Sequence, residues 1–215
     1  MTDYGKGIIG ILSGELGRYR AFDIALMDVE RPAGTLITYG VGLNLAQNSN
    51  NIIRYAVNKE LDWVWLLDDD HVFPRDLLIK LLERNVEFVM PLAVQRKEPF
   101  NPVLHKPMSE GGKRSGYENL HGKSGLIDIG DWSTGKGCAL IRTSVFKKIP
   151  PPWFTLGQID PELTSPDTHF CQKMHAAGIP IYVDLDNVTG HIAQFAVWPD
   201  KDANNHWGYR IQTVY

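Results

Sequence analysis

The sequence has 215 residues, a net charge of −3 and an isoelectric point of about 6.1. Hydrophobic residues make up 43% and charged residues 22%, a balance that supports a folded core and excludes an intrinsically disordered chain. The acidic net charge argues against a broad basic surface for nucleic acid. The two cysteines, Cys138 and Cys171, exclude a disulfide framework and have no metal-site spacing.

The N-terminal stretch MTDYGKGIIGILSG has too short an apolar run for a membrane helix and lacks the charged start of a signal peptide. No other segment reaches membrane-spanning length. We therefore predict a cytoplasmic protein without a membrane span. The length suits a single domain over residues 1–215.

The first half of the chain alternates apolar runs with helical patterns. Short apolar runs at 7–14, 34–40 and 63–67 predict buried strands. Apolar residues at helical spacing predict helices within 18–29 and 44–57. A third helix is predicted to begin at Pro74, a residue favoured at the first helical position, with Asp76 in its first turn.

The second half continues this alternation after an interruption. VEFVMPLAV predicts a strand, and the segment 101–125, rich in Gly, Ser, Lys and Pro, predicts a flexible insertion. CALIRTSVF predicts a strand and a short helix, Ser165 caps a predicted helix that ends at Gly178, and IPIYVD predicts a last strand before a C-terminal tail at 192–215. The pattern predicts an α/β sandwich with a mainly parallel central sheet flanked by helices.

Three aspartates, Asp68 to Asp70, follow the apolar run WVWLL at the end of its predicted strand. Ligands of parallel α/β sheets bind beyond the carboxyl ends of the strands. Adjacent carboxylates repel each other unless a cation or hydrogen-bond donors compensate them. A divalent cation holding a nucleotide pyrophosphate supplies that compensation, whereas a solvated acidic turn is the alternative reading.

Four segments in order resemble GT-A glycosyltransferases, in particular the family 2-like group. They are QNSNNIIRYAV, the DXD-like WLLDDDHVFPRDLL, STGKGCALIRTSVFKKIPPPWF, and SPDTHFCQKMHAAGIPIYVDLDNVTGH. The chain departs from the family where an Arg-Asn pair reads Asn50-Asn51 and where the first residue of an acidic pair is Pro166. The resemblance covers most of residues 7–192 and implies the GT-A fold.

The resemblance implies a metal-dependent glycosyltransferase that binds Mn²⁺ or Mg²⁺. Asp70 and His191 are expected to bind the cation, and Asp68 the cation or the donor ribose. Asp69 points the opposite way in an extended segment and is expected to bond to backbone. His71 adjoins the triplet as a competing histidine.

The resemblance also implies a nucleotide diphosphate sugar as donor. The glycines of TGKG allow close approach of a sugar or phosphate, and Lys136 is placed to neutralise the diphosphate. Trp132 is favoured over Trp153 for stacking on a sugar ring. The full set of expected donor-binding residues is Ser13, Asn51, Arg54, Asp68, Asp69, Trp132, Gly135, Lys136 and Gly137.

Asp167 is the candidate catalytic base. Inverting transfer needs a carboxylate that takes the proton of the acceptor hydroxyl, and Asp167 lies in the first turn of a predicted helix. The alternative is an aspartate that only satisfies backbone N–H groups. The aromatic tail allows three readings, namely a lid over the donor, a subunit contact or a disordered end.

Two other functions stay open from the sequence. A nucleotidyltransferase on a related sheet requires a Gly-rich basic loop after the first strand, which SGELGRYR matches poorly. A non-catalytic module that binds a nucleotide or carbohydrate is the other. The acceptor is undetermined among polysaccharide, lipid-linked sugar, protein and modified nucleic-acid base, and the absence of a predicted anchor argues against the lipid.

Overall fold

The chain alternates short strands and helices in a computed structural model that describes residues 2–14, 19–42, 44–107, 110–111, 115–155, 157–159, 162–193 and 195–213. The strands of this part of the chain are β1 (Gly7–Ser13), β2 (Leu36–Val41), β3 (Trp63–Asp68), β4 (His71–Val72), β5 (Phe88–Leu92), β6 (Leu104–His105), β7 (Leu126–Asp128), β8 (Ser133–Thr134), β9 (Leu140–Arg142), β10 (Gly157–Ile159), β11 (Glu162–Thr164), β12 (Tyr182–Val188), β13 (Gly190–Ile192), β14 (Phe195–Lys201) and β15 (Trp207–Thr213). The helices are α1 (Arg20–Asp28), α2 (Leu45–Asn58), α3 (Leu77–Glu83), α4 (Thr143–Lys148) and α5 (Pro166–Ala176), with a short 3₁₀ helix at Tyr117–Asn119.

A seven-stranded sheet in the order β2-β1-β3-β9-β5-β12-β7 forms the centre of the molecule. The pairs β2–β1, β1–β3 and β5–β12 are parallel, whereas β9 and β7 are antiparallel to their neighbours. Five of the seven strands therefore run in one direction. This arrangement confirms the predicted α/β architecture with a mainly parallel sheet.

Both faces of the central sheet are apolar because helices cover both. On β1, Ile8 and Leu12 join the cluster that contains the buried side of α2. Ile9 and Ile11 point to the opposite face and join the cluster that contains α1 and α3. The continuous apolar runs seen in the sequence follow from burial on two faces, since successive side chains of a strand point to opposite sides.

The helix boundaries confirm one predicted cap and correct one predicted start. The hydroxyl of Ser165 accepts a hydrogen bond from the backbone N–H of Thr168, as a capping residue does. The helix predicted from Pro74 instead begins at Leu77, because the carbonyl of Arg75 accepts a hydrogen bond from the N–H of Glu30 at 2.7 Å. None of the helices within the described ranges is long and apolar enough to cross a bilayer.

The C-terminal tail supplies β14 and β15 to a second sheet of four strands in the order β15-β14-β13-β4. The reading of this tail as a disordered end is therefore wrong for its described residues; 194 and 214–215 lie outside them. The ring of Phe100 lies 4.6 Å from the ring of Tyr209 and 6.1 Å from the ring of Phe195, measured between centroids. These contacts fasten the hairpin of β14 and β15 to the segment after β5.

The predicted flexible insertion at 101–125 carries regular structure where it is described, whereas 108–109 and 112–114 lie outside the described residues. Strand β6 pairs with β8, and Leu104 and Leu120 are buried in the main core. The hydroxyl of Tyr117 donates a hydrogen bond of 2.6 Å to the carbonyl of Phe100. Packing thus anchors both sides of this segment.

Candidate active site and metal centre

Several polar side chains meet at the carboxyl edge of the central sheet. Leu12 of β1 pairs with Asp68 of β3, so Ser13 and the three aspartates emerge together. Strand β9 is antiparallel to β3, which brings the segment before it to the same edge: the N–H of Asp68 donates a hydrogen bond of 2.8 Å to the carbonyl of Gly137. This edge is where α/β sheets bind their ligands.

Two histidines from distant parts of the sequence are cross-strand neighbours at this edge. Strands β4 and β13 are antiparallel, and His71 pairs directly with His191. Side chains of directly paired residues project from the same face of a sheet. The two imidazole rings accordingly stack, with centroids 4.6 Å apart and planes inclined by 16°.

Asp70 completes a cluster of three side chains with these histidines. Its Oδ2 lies 3.3 Å from Nε2 of His191, and its Oδ1 lies 3.0 Å from Nδ1 of His71. The second pair is close but lacks the alignment of a hydrogen bond, so Asp70 Oδ1 and His71 Nδ1 are both buried without a hydrogen-bond partner. Buried polar atoms without partners are costly, and a cation would satisfy both.

The orientation of His191 suits a metal ligand. Its Nδ1 lies 2.8 Å from the carbonyl oxygen of Val94, and a carbonyl only accepts, so Nδ1 carries a proton. Nε2 faces Asp70 and donates to its carboxylate in the cation-free protein, and loss of that proton would leave a lone pair there for a cation. Ligating histidines are typically held through their other ring nitrogen by a hydrogen bond such as the one from Nδ1 to Val94.

One ligand atom from each of Asp70, His71 and His191 lies within 4.8 Å of the other two. A carboxylate with two imidazoles fits Mn²⁺ and other first-row cations better than Mg²⁺, which prefers oxygen ligands. Three protein ligands leave coordination positions open for a substrate. The residues present therefore fit the expected cation, with His71 in the place that the sequence reading gave to Asp68.

The charge of Asp70 is already strongly compensated. Burial raises the pKa of its carboxyl, but the hydrogen bond with His191 and the attraction of both imidazoles outweigh burial and hold that pKa far below its usual range. Nη1 of Arg96 adds a third contact, 3.0 Å from Oδ2 of Asp70. Asp70 is therefore a carboxylate at every physiological pH.

Lys136 forms a second charged group beside the cluster. Its ammonium is 4% exposed and lies 3.3 Å from Oδ1 of Asp68 and 3.5 Å from Oδ1 of Asp167. Burial lowers the pKa of Lys136, but the two carboxylates outweigh it and raise that pKa. The ammonium thus contacts two carboxylates of the protein itself. The sequence had predicted that it would neutralise the diphosphate of the donor.

Asp167 is held beside Lys136 by the first turn of α5. Burial raises the pKa of Asp167, the ammonium of Lys136 offsets this only in part, and repulsion from the carboxylate of Asp68 raises that pKa further. One of the carboxylate oxygens lies 3.3 Å from the backbone nitrogen of Lys136 and accepts its hydrogen bond. A carboxylate whose pKa is raised is a stronger base than an exposed aspartate.

The glycines of TGKG allow this close assembly. A Cβ on Gly137 would lie 2.7 Å from Cε1 of His71 and 2.8 Å from Oδ2 of Asp68, closer than real Cβ contacts. A Cβ on Gly135 would meet Val103 at 3.2 Å. The absence of a side chain at Gly137 therefore lets the backbone pass close to both His71 and Asp68.

Asp69 is paired differently from the sequence prediction. Its Oδ2 accepts a hydrogen bond of 2.6 Å from the hydroxyl of Ser13, so its partner is a side chain and not the backbone that was expected. Ser13 is buried at the end of β1. The pair links the two strands whose ends form the site.

Three expected donor-binding residues lie apart from these charged groups. Arg54 donates a hydrogen bond to Asn51 on the exposed side of α2, and within the described ranges no hydrogen bond or ion pair joins either side chain to the aspartates. Trp132 packs against the core beneath the ammonium of Lys106, 5.6 Å from its ring. Trp153 is buried and donates to two carbonyls, as a core residue does.

Sequence reasoning missed two members of the site. His71 was read as a competitor, although its position next to the triplet was the available signal. Arg96 follows the strand β5 in the basic pair Arg96-Lys97, at the same edge of the sheet. Its position after a buried strand was the available signal.

The comparisons with known proteins identify a fold and no family. No family model and no curated protein matches the sequence. Among solved structures, the fold is similar to the crystal structure of A197 from STIV, with a TM-score of 0.61 over 96% of this chain and 95% of that chain. The two sequences are 13% identical, so the similarity shows a shared fold alone.

Proposed function

We propose that this protein is a GT-A-like glycosyltransferase that uses a divalent cation and a nucleotide diphosphate sugar. The observation that carries the proposal is the cluster of Asp70, His71 and His191 at the carboxyl edge of the sheet. At the same edge, Lys136 joins Asp68 to Asp167. The family 2-like motifs of the sequence supply the reaction class.

Asp70, His71 and His191 would hold the cation, and Mn²⁺ suits this ligand set best. A cation bound there would act as a Lewis acid on the charge that develops on the departing nucleoside diphosphate. The remaining chemistry belongs to the side chains around it. Asp68 and Ser13 border the same edge and would contact the donor nucleoside.

Asp167 acts as the base in this proposal. The oxygen of an acceptor hydroxyl attacks the anomeric carbon, and its proton passes to a carboxylate oxygen of Asp167. The bond between the anomeric carbon and the phosphate oxygen breaks, and the nucleoside diphosphate leaves with the electron pair. A single base on the side opposite the leaving group gives inversion at the anomeric carbon.

Lys136 positions the base. Its ammonium contacts Asp167 and Asp68 together, which fixes both carboxylates relative to each other. The ammonium also favours the deprotonated form of Asp167, against the effect of burial. Lys136 is in this account a positioning residue and does not touch the substrate.

A panel of nucleotide sugars with Mn²⁺ tests the proposal, read as thermal shift and as hydrolysis of the donor. Binding and slow release of nucleoside diphosphate from one donor support it. Release of pyrophosphate from a nucleoside triphosphate would favour the nucleotidyltransferase, whose required loop lies partly at 15–18, outside the described residues. Binding with no turnover, even with candidate polysaccharide, protein and modified-base acceptors, would favour the non-catalytic module.

A further inference from the structure

Arg96 lies at the mouth of the candidate metal centre on a well-anchored segment. The backbone N–H of Gln95 donates to the carbonyl of Asn101, and that of Phe100 donates to the carbonyl of Lys97. Two residues before Arg96, the carbonyl of Val94 orients His191. The Arg96 side chain itself is 46% exposed. Its backbone is therefore fixed while its guanidinium faces solvent.

Arg96 and a cation would compete for the carboxylate of Asp70. Oδ2 of Asp70 lies 3.0 Å from Nη1 of Arg96 and 3.3 Å from Nε2 of His191. A cation bound by Asp70 and His191 would lie against this carboxylate and repel the guanidinium. The two positive charges cannot share the site at contact distance.

We propose that Arg96 is a displaceable counter-charge, which the cation releases from Asp70 and which then binds the phosphates of the donor. This inference rests on the proposed function for the identity of the ligand as a nucleoside diphosphate. The guanidinium offers a planar fork of donors that matches phosphate oxygens. Its half-exposed position lets it turn from Asp70 to a ligand without moving the backbone.

The exchange couples the two ligands. Without a cation, Arg96 is occupied by Asp70 and is poorly available to phosphate. With a cation, Arg96 is free, so the cation strengthens diphosphate binding beyond its own contact with the phosphates. Linkage requires the reverse effect as well, so that diphosphate, by holding Arg96 away, strengthens cation binding by the same factor.

Titration of the ligand-free protein with Mn²⁺, followed by the paramagnetic resonance of free Mn²⁺, tests the competition. In Arg96→Ala the competitor is absent, and Mn²⁺ should bind roughly 3- to 10-fold more tightly than to wild type. Arg96→Lys keeps a point charge that can pair with Asp70 and should stay close to wild type. Lys97→Ala is the matched control, because it removes an adjacent exposed charge that has no ion pair with Asp70.

Calorimetry with nucleoside diphosphates at saturating Mn²⁺ tests the second half. Arg96→Ala should bind the diphosphate roughly 10- to 100-fold more weakly than wild type, and Lys97→Ala should not. Mn²⁺ binding to Arg96→Ala that is no tighter than to wild type would overturn the inference. Unchanged diphosphate affinity in Arg96→Ala would also overturn it. If no nucleoside diphosphate binds wild type, the proposed function and the phosphate role both fail, whereas the Mn²⁺ titration still decides the competition.

Discussion

The imidazole rings of His71 and His191 stack at 4.6 Å although the two residues are 120 positions apart in the chain. The contact exists because β4 and β13 pair in a register that sets the two histidines opposite each other. Asp70, which precedes β4, reaches a nitrogen of both rings. A cation at this point would therefore tie the acidic turn after β3 to the second sheet.

Replacing Asp70 should abolish cation binding. Asp70→Ala removes the only carboxylate of the three-residue cluster, and Mn²⁺ affinity should fall by roughly 100-fold or more. Asp69→Asn is the matched control, since Asp69 lies one residue away, bonds to Ser13 and keeps an acceptor oxygen after substitution. Mn²⁺ titration of both variants, with circular dichroism to verify the fold, gives the answer. Equal Mn²⁺ affinities for the two variants would remove the cluster from the account.

A methyl group at position 137 should disturb the site without unfolding the protein. The new Cβ of Gly137→Ala meets His71 and Asp68 at 2.7 and 2.8 Å, so one of them must move. A displacement near 1 Å in a catalytic constellation costs roughly 100-fold in rate, and we expect a loss of that order in donor turnover. Gly208→Ala is the control, because nothing lies within 4 Å of its Cβ position. Similar turnover rates for the two variants would show that the close contacts of position 137 with His71 and Asp68 do not matter for turnover.

Asp167→Asn separates a catalytic base from a structural residue. The amide keeps the size of the side chain and part of its hydrogen bonding but cannot accept the acceptor's proton. Transfer at saturating donor should fall by roughly 10²- to 10⁴-fold, while donor affinity measured by calorimetry should stay near the wild-type value. Undiminished transfer in a folded Asn variant would leave the mechanism without a base.

Lys136 should stabilise the fold by compensating two carboxylates. Lys136→Met leaves Asp68 and Asp167 with no ammonium partner, and they are 28% and 27% exposed. Because water screens them in part, we expect a loss of about 2 kcal/mol in the free energy of unfolding, below the cost of breaking a fully buried pair. Urea denaturation measures the loss, with the exposed Lys147→Met as control. A stability equal to that of the control would show that the ion pairs contribute nothing.

The transfer rate should rise with pH through the pKa of Asp167. Burial raises this pKa above the ordinary aspartate value, so the active carboxylate form is lost as pH falls through that raised value. Lys136 favours the charged form, and Lys136→Met should therefore move the midpoint of the rate profile to higher pH. The profile is to be measured at saturating Mn²⁺ and donor. A midpoint that moves to lower pH in this variant would contradict the conclusion that Lys136 lowers the pKa of Asp167.

The elements of the central sheet were predictable because their signals are local. The apolar run before Asp68, the alternation of strands with helices and the cap at Ser165 each depend on a few neighbouring residues. The start of α3 was wrong because the carbonyl of Arg75 is used by Glu30, a contact between segments far apart in the sequence. The preference of proline for the first position of a helix is local and cannot indicate such a long-range contact.

The site was predictable in position and only partly in composition. The GT-A resemblance implied Asp70, His191 and Asp167, and the structure brings Asp70 and His191 into contact. The pairing of Lys136 with two carboxylates, the stacking of His71 and the contact of Arg96 all depend on strand register and on loops that fold back to the edge. Asn51 and Arg54 failed to join the charged groups because they lie on the exposed side of α2.

The release of nucleoside diphosphate from a nucleotide sugar, measured with Mn²⁺ and again in excess chelator, tests the central claim most directly. The account predicts that the wild type turns over one donor of the panel with Mn²⁺, that chelator stops this turnover, and that Asp70→Ala shows no turnover even with Mn²⁺. Full turnover in excess chelator, or turnover by Asp70→Ala at the wild-type rate, would contradict a cation-dependent transfer at this site.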